Sequence, residues 1–285
     1  MRQKGDDQAK FRELLEKQAN GKLSRKDYLS LAKRELEKLP PEEQQVFDSE
    51  AIKLCAKNSS LKKFNIRKMN KLGMPKAVVT AENKPAWAAS TKSSSAGNLH
   101  YKSMIAEGCK VLITSNLWKE SGLVNGAQGT VHKIVYRPQH KPPELPAVVF
   151  VEVPQYIGPS YFDDKPNIVP IVPITRQWFQ RKTLCQRTAL PLVPSYALTI
   201  HKSQGMTLGK VIVDLGDREF SIGLTYTALS RCKKFEDLAF DPLPYYNRMV
   251  SYFKSDVFKY RRDEDNRLFE MEKKTLEEIE EDMDE

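Results

Sequence analysis

Three apolar runs, KVLITSN at residues 110 to 116, AVVFVEV at 147 to 153 and IVPIVPI at 168 to 174, lie close together and are joined by connections rich in proline and glycine. Short strands at that spacing build a small all-β module of the barrel kind. The pattern on either side is different. EAIKLC at 50 to 55 reads as a strand, followed by a basic helix near 60 to 72 that stops at Gly73 with Pro75 beyond. Beyond Leu190, PSYALTIH and KVIVDLG read as buried strands, residues 222 to 232 as a helix and DLAF as a last strand. The chain is therefore expected to place a β module inside an α/β layer, a parallel sheet with flanking helices.

The remaining segments fill in that outline. Residues 11 to 37 read as two short helices, with Ser24 and Asp27 forming a capping box and Pro40-Pro41 ending the run. Residues 84 to 98, rich in Ser, Ala and Lys, read as an exposed, variable loop. Asn125-Gly126 and Gly129, set between apolar runs, have the chemistry of a tight β turn. Pro170 and Pro173 suit an edge strand or a bulge. Past Arg262 the chain is acidic, with Leu268, Met271, Ile279 and Met283 at helical spacing, the pattern of a solvated helical extension.

Charge is unevenly laid out. The net charge is +9, but residues 263 to 285 carry 12 acidic and 3 basic residues, which leaves a body of net +18 over residues 1 to 262. A cationic body favours polyanions through counterion release, although ribosomal and membrane-surface proteins share that composition. Cys55, Cys109, Cys185 and Cys232 are scattered, with neither a C-x-x-C pair nor histidines at zinc spacing, so reduced thiols and no metal site are expected. The amino terminus lacks the look of a secretory signal and no apolar run reaches membrane-spanning length, so an intracellular protein with no membrane contact is expected.

Two strings carry the chemistry: YALTIHKSQGMTL at 196 to 208 and YTALSRCKKFEDL at 226 to 238. Thr199 to Gly205 places hydroxyls, a lysine and a flexible glycine where a strand ends, a loop suited to an anionic backbone. The plainer reading is a polar β-α turn capped by Ser203. Arg231 follows small and hydroxyl residues at a helix end, where a guanidinium can neutralise charge on a transferring phosphate. Its plainer reading is a salt bridge to Glu236 or Asp237. The string G-x-x-x-x-G-K-[ST], the usual phosphate cradle, occurs nowhere in the sequence.

The two strings together resemble motifs V and VI of the petite-integration-frequency (Pif) DNA helicases, the RecD-like branch of helicase superfamily one. FRELLEKQANGKLS, EAIKLCAKN, GCKVLITSNLWKESGLVNGAQGTV, LPAVVFVEV and VPIVPITR fit the same family, so the resemblance spans roughly residues 10 to 247. It implies an amino-terminal helical segment at 1 to 48, a RecA-like domain 2A at 49 to 120 and 190 to 247, an inserted SH3-like barrel 2B at 121 to 189, and a charged helical tail at 248 to 285. By resemblance Arg231 is the arginine finger, Gln204 and Gly205 sense the γ-phosphate, and Thr199, His201, Lys202 and Ser203 hold the backbone of single-stranded DNA. ATP and Mg2+ would be bound mainly by a first RecA-like domain carrying the Walker motifs. That domain is the expected partner, in a monomeric motor placed by family in nucleus or mitochondrion.

The departures from the family pattern are specific. The first RecA-like domain is not in the sequence, and EAIKLCAKN has no arginine; Arg67 lies too far along the next helix to stand in for one. The chain alone is therefore expected neither to hydrolyse ATP well nor to unwind DNA. Two alternatives stand beside the motor half: a catalytically silent single-stranded nucleic-acid-binding protein, and an inactive remnant.

Overall fold

In a computed structural model of the chain, residues 3 to 218 and 221 to 284 are described. Helices α1 (Ala9–Ala19), α2 (Arg25–Ala32) and α3 (Pro41–Glu50) lead into strand β1 (Ile52–Cys55) and helix α4 (Asn58–Lys71). Strands follow: β2 (Ala77–Thr80), β3 (Glu82–Lys84), β4 (Lys102–Ile105), β5 (Lys110–Ile113), β6 (Gln128–Val135), β7 (Val148–Glu152), β8 (Ile168–Ile171), β9 (Ile174–Gln180), β10 (Thr183–Ala189), β11 (Leu192–Pro194) and β12 (Ala197–Thr199). The chain ends with β13 (Val211–Asp214), α5 (Leu224–Leu229), β14 (Leu238–Phe240), α6 (Tyr246–Val250) and α7 (Asp256–Asp284). It divides into two compact units, Met1–Lys57 with Thr199–Glu285, and Asn58–Leu198.

The first unit is a mixed α/β body built on parallel strands. β13 lies between β1 and β14, with Ile52 opposite Val211 and Val211 opposite Leu238. All three strands are almost wholly apolar and buried, as strands covered on both faces must be. Lys53, the one charged residue of β1, is 7% exposed and meets Asp241 at 2.7 Å. Leu39, Phe47 and Ala51 pack on Ile212 and Ala239, so α3 covers part of this sheet. The capping box forms: Asp27 N–H donates to Ser24 Oγ, and Ser24 N–H donates back to the Asp27 carboxylate. The run ends at the extended Leu39 and Pro40, and a further helix that the sequence reading does not include begins there. Pro41 opens α3, because a helix's first residue has no intrahelical use for an N–H.

In α7 the side chains from Lys259 to Glu277 are exposed, including Leu268 at 49% and Met271 at 51%, while Phe258 is buried against Tyr252 and Phe253. The side chains of Ile279 and Met283 lie outside the described residues. No helix among the described residues is long and apolar enough to cross a membrane.

The second unit is chiefly antiparallel. One sheet has the order β11-β5-β6-β7-β8, a second β3-β10-β9, and β2 pairs with β4. Val111, Ile113, Val131, Val149, Val151, Val169, Ile171 and Leu192 form its core, the inward half of each alternating strand. Pro170 sits opposite Phe150 on the edge strand β8, where its missing N–H costs no ladder bond.

Several elements differ from the sequence reading. Residues 84 to 98 are not a loose surface loop: two 3-10 turns, Ala86–Ser90 and Ser93–Ser95, bury Ala88 and Ala96 completely. Their organiser is Arg187, itself 0% exposed, which donates to Ala88, Ala89, Thr91 and Leu99 carbonyls and to Asn83 Oδ1. Asn125-Gly126 is not a two-residue hairpin turn, because a smaller loop closed by the Trp118–Leu123 bridge intervenes after β5; Gly126 N–H then meets Ile113 O. Gly129 is inside β6, where an added Cβ would sit 2.6 Å from the Glu152 carbonyl. PSYALTIH is extended in β12 only over Ala197–Thr199, and α5 is a shorter helix than the one expected at 222 to 232.

Candidate functional site

The chain re-enters the first unit at Thr199 beside β1, where Ile200 N–H donates to the Cys55 carbonyl. Ile200 is fully buried and fixes the start of a 3-10 turn, His201–Ser203. The turn closes on itself: Lys202 N–H donates to Thr199 Oγ1 at 3.3 Å, and Ser203 donates both N–H and Oγ–H to the Ile200 carbonyl. Gly205 follows with φ +85°, and an added Cβ there would touch nothing within 4 Å. The glycine answers a backbone demand, not a lack of space.

These contacts sort the residues. His201, Lys202, Gln204 and Gly205 are exposed along the outer arc, Thr199 is half-buried, and Ser203 is buried with its hydroxyl turned inward. Lys202 reaches solvent, yet crowding around its ammonium desolvates the charge and lowers its pKa. Desolvation of this kind is relieved when an anion meets the ammonium.

The second string arrives through α5, entered from a left-handed Gly223. Leu208 and Cys232 form a parallel bridge, with Leu208 N–H donating to the Arg231 carbonyl at 3.0 Å. Arg231 is 5% exposed, so it is neither a surface arginine nor one extended into open solvent. Its guanidinium donates to the carbonyls of Thr227 at 2.6 Å, Ser203 at 3.2 Å and Met206 at 3.3 Å, and to Ser230 Oγ at 2.8 Å. The carboxylates of the plainer reading are engaged elsewhere: Asp237 with Lys210 at 2.8 Å, and Glu236 with Gln8 at 3.3 Å.

The structure thus brings Ser203 and Arg231 into direct contact and sets Gln204 and Gly205 between Ser203 and Met206, the two residues whose carbonyls the guanidinium meets. Thr227 and Ser230, which position the guanidinium, are not among the candidate site residues that the sequence offers, although the hydroxyls before Arg231 are part of its signal. No cluster of three or more His, Cys, Asp or Glu that could hold a metal occurs among the described residues.

The chain matches no family model. It is 35% identical over 138 residues to ATP-dependent DNA helicase PIF6 of Trypanosoma brucei brucei, covering 47% of this chain and 16% of that protein. It is 34% identical over 166 residues to ATP-dependent DNA helicase PIF1 of Danio rerio, covering 56% of this chain and 22% of that protein. In fold it is similar to the Pif1 helicase of Candida albicans, with a TM-score of 0.70 at 23% identity over 94% of this chain and 59% of that one. Bacteroides Pif1 bound to single-stranded DNA gives a TM-score of 0.65 at 20% identity over 95% of this chain and 55% of that one. The sequence relatives and the structural neighbours alike are Pif-type helicases, as the two motif strings indicate, and the chain spans less than a quarter of each of these sequence relatives and 55–59% of these structural neighbours.

Proposed function

We propose that the chain is the carboxy-terminal motor half of an ATP-dependent 5′-to-3′ DNA helicase of the Pif type, a RecA-like domain carrying an SH3-like β module and an acidic carboxy-terminal helix. The observation that carries this reading is the contact between Arg231 and the 203 to 206 loop. One corner of the first unit holds both the Arg231 guanidinium, a group able to neutralise charge on a transferring phosphate, and a turn whose composition suits a nucleic-acid backbone. The nucleotide supplies phosphoryl-transfer energy when bound, with Mg2+ and the phosphate-binding lysine contributed by a Walker-bearing domain.

The residues divide the work as follows. Thr199 and Lys202, braced against each other, present a hydroxyl and an ammonium to the phosphates of single-stranded DNA, flanked by His201. Ser203 shapes the turn through its inward hydroxyl and contributes through its backbone. Gln204 and Gly205 face the nucleotide's γ-phosphate. Arg231 is the finger: to reach a phosphate it must release the Ser203 and Met206 carbonyls, which loosens the turn that carries Thr199 and Lys202. Nucleotide state and DNA grip are coupled through those two carbonyls.

The test joins the chain to an amino-terminal RecA-like domain with intact Walker motifs and measures ATP turnover with and without single-stranded DNA. DNA-stimulated turnover that Arg231→Lys removes supports the reading. Turnover unaffected by Arg231→Lys overturns the finger, and binding of single strands with no turnover in the joined protein points to a silent binding protein.

A further inference from the structure

The β9–β10 hairpin carries features that the motor reading leaves unused. Its two-residue turn is Arg181-Lys182, with φ of +50° and +60°. Both residues of such a turn occupy the left-handed region, where Asn-Gly is favoured and a long side chain costs about 1–2 kcal/mol per residue. Strain held at an exposed tip in order to place two cations is the pattern of a functional site.

The neighbouring positions fit a single ligand class. Phe179 and Leu184 lie directly across from each other one pair in from the turn, 77% and 50% exposed. Toward the base the same face continues as a Gln177–Gln186 pair at 3.3 Å and a Thr175–Thr188 pair at 2.8 Å. On the opposite face, an open depression of about 370 Å3 is lined by Trp178, Gln180, Thr91 and Lys92 among others. No Asp or Glu occurs between Asp164 and Asp214, so the hairpin has no acid of its own; Glu82, opposite Thr188, is at its far end.

The hairpin is also held firmly. Arg187 ties its base to four carbonyls of the 88 to 99 segment, and Thr91 Oγ1 and Trp178 Nε1 both donate to Gln180 Oε1. A rigid rod ending in an exposed ring and two cations is built to stack on a base while its charges take the adjoining phosphates.

We propose that the tip of this hairpin is a second nucleic-acid contact, with a base of single-stranded DNA stacked on Phe179 and backbone phosphates met by Arg181 and Lys182. The proposal rests on the reading that the chain works on nucleic acid, and it lies outside the 199 to 205 turn.

The test is equilibrium binding of a fluorescent single-stranded oligonucleotide to the full chain across a salt series. Phe179→Ala is expected to weaken binding at least about fivefold, the low end for losing one stacked base. Arg181→Asn with Lys182→Gly supplies the turn with its favoured residues, so its melting temperature should equal or exceed wild type while the slope of log affinity against log salt falls by about 1.4. Binding by wild type with both variants indistinguishable from it overturns the hairpin contact and leaves the nucleic-acid reading standing. No binding by wild type even at low salt overturns both.

Discussion

Arg231 is buried among backbone carbonyls, so its removal should be felt in the free chain before any nucleotide is involved. Arg231→Ala strips donors from the carbonyls of Thr227, Ser203 and Met206 and from Ser230 Oγ. Hydrogen bonds to a charged donor contribute about 1.5–3 kcal/mol each, but their losses do not add, since water enters the vacated space beside the exposed Gln204 and Gly205. A net loss of about 3 kcal/mol is expected. For a protein of this size that lowers the melting temperature by about 6–12 °C. Arg231→Lys keeps a charge that can meet one carbonyl without the planar fork, so it should fall between the two. Thermal unfolding followed by circular dichroism, with urea titration as a check, reads the effect. An Arg231→Ala chain within about 1 kcal/mol of wild type would refute the staple between the two strings. The size of the expected loss is also why Arg231→Lys, not Arg231→Ala, separates catalysis from folding.

Other outcomes follow from the same structure. Arg187→Met should cost about 3–5 kcal/mol by leaving the carbonyls of residues 88 to 99 without their donor, and limited tryptic digestion should then cut after Lys92 faster than in wild type. Gly205→Ala meets no steric obstacle but forces φ +85° on a residue with a Cβ; it should destabilise by about 1–2 kcal/mol and weaken single-strand binding in the same salt titration. Burial pushes the thiols of Cys55 and Cys232 up to about 12 and that of Cys109 to about 11, so all three should resist a thiol reagent until the chain unfolds. Because these folded values lie above the ordinary thiol value of 9.0, the stability they contribute is complete below about pH 9 and is lost as pH rises toward about 12, which alkaline unfolding curves will show.

The parallel strands were legible because IKLC and VIVD are apolar almost throughout, and the α2 cap because Ser24 and Asp27 sit at a fixed spacing. Residues 84 to 98 were misread for a physical reason: small and polar side chains look like surface when the group that gathers their carbonyls, Arg187, lies in a distant strand. The inward burial of Arg231 was hidden in the same way, since its acceptors are mostly main-chain carbonyls, and every residue type has one. The β9–β10 turn gave no signal because Arg-Lys stands where Asn-Gly would have announced a hairpin. The site was readable as two strings, and their contact became visible only in three dimensions.

The most direct measurement is the affinity of the joined, two-domain protein for single-stranded DNA, with and without a non-hydrolysable ATP analogue, in wild type and Arg231→Lys. If the guanidinium links the phosphate to the 203 to 206 loop, wild-type affinity changes by about 5- to 150-fold between the two states and the change disappears in the variant. An equal change in both proteins would contradict the account.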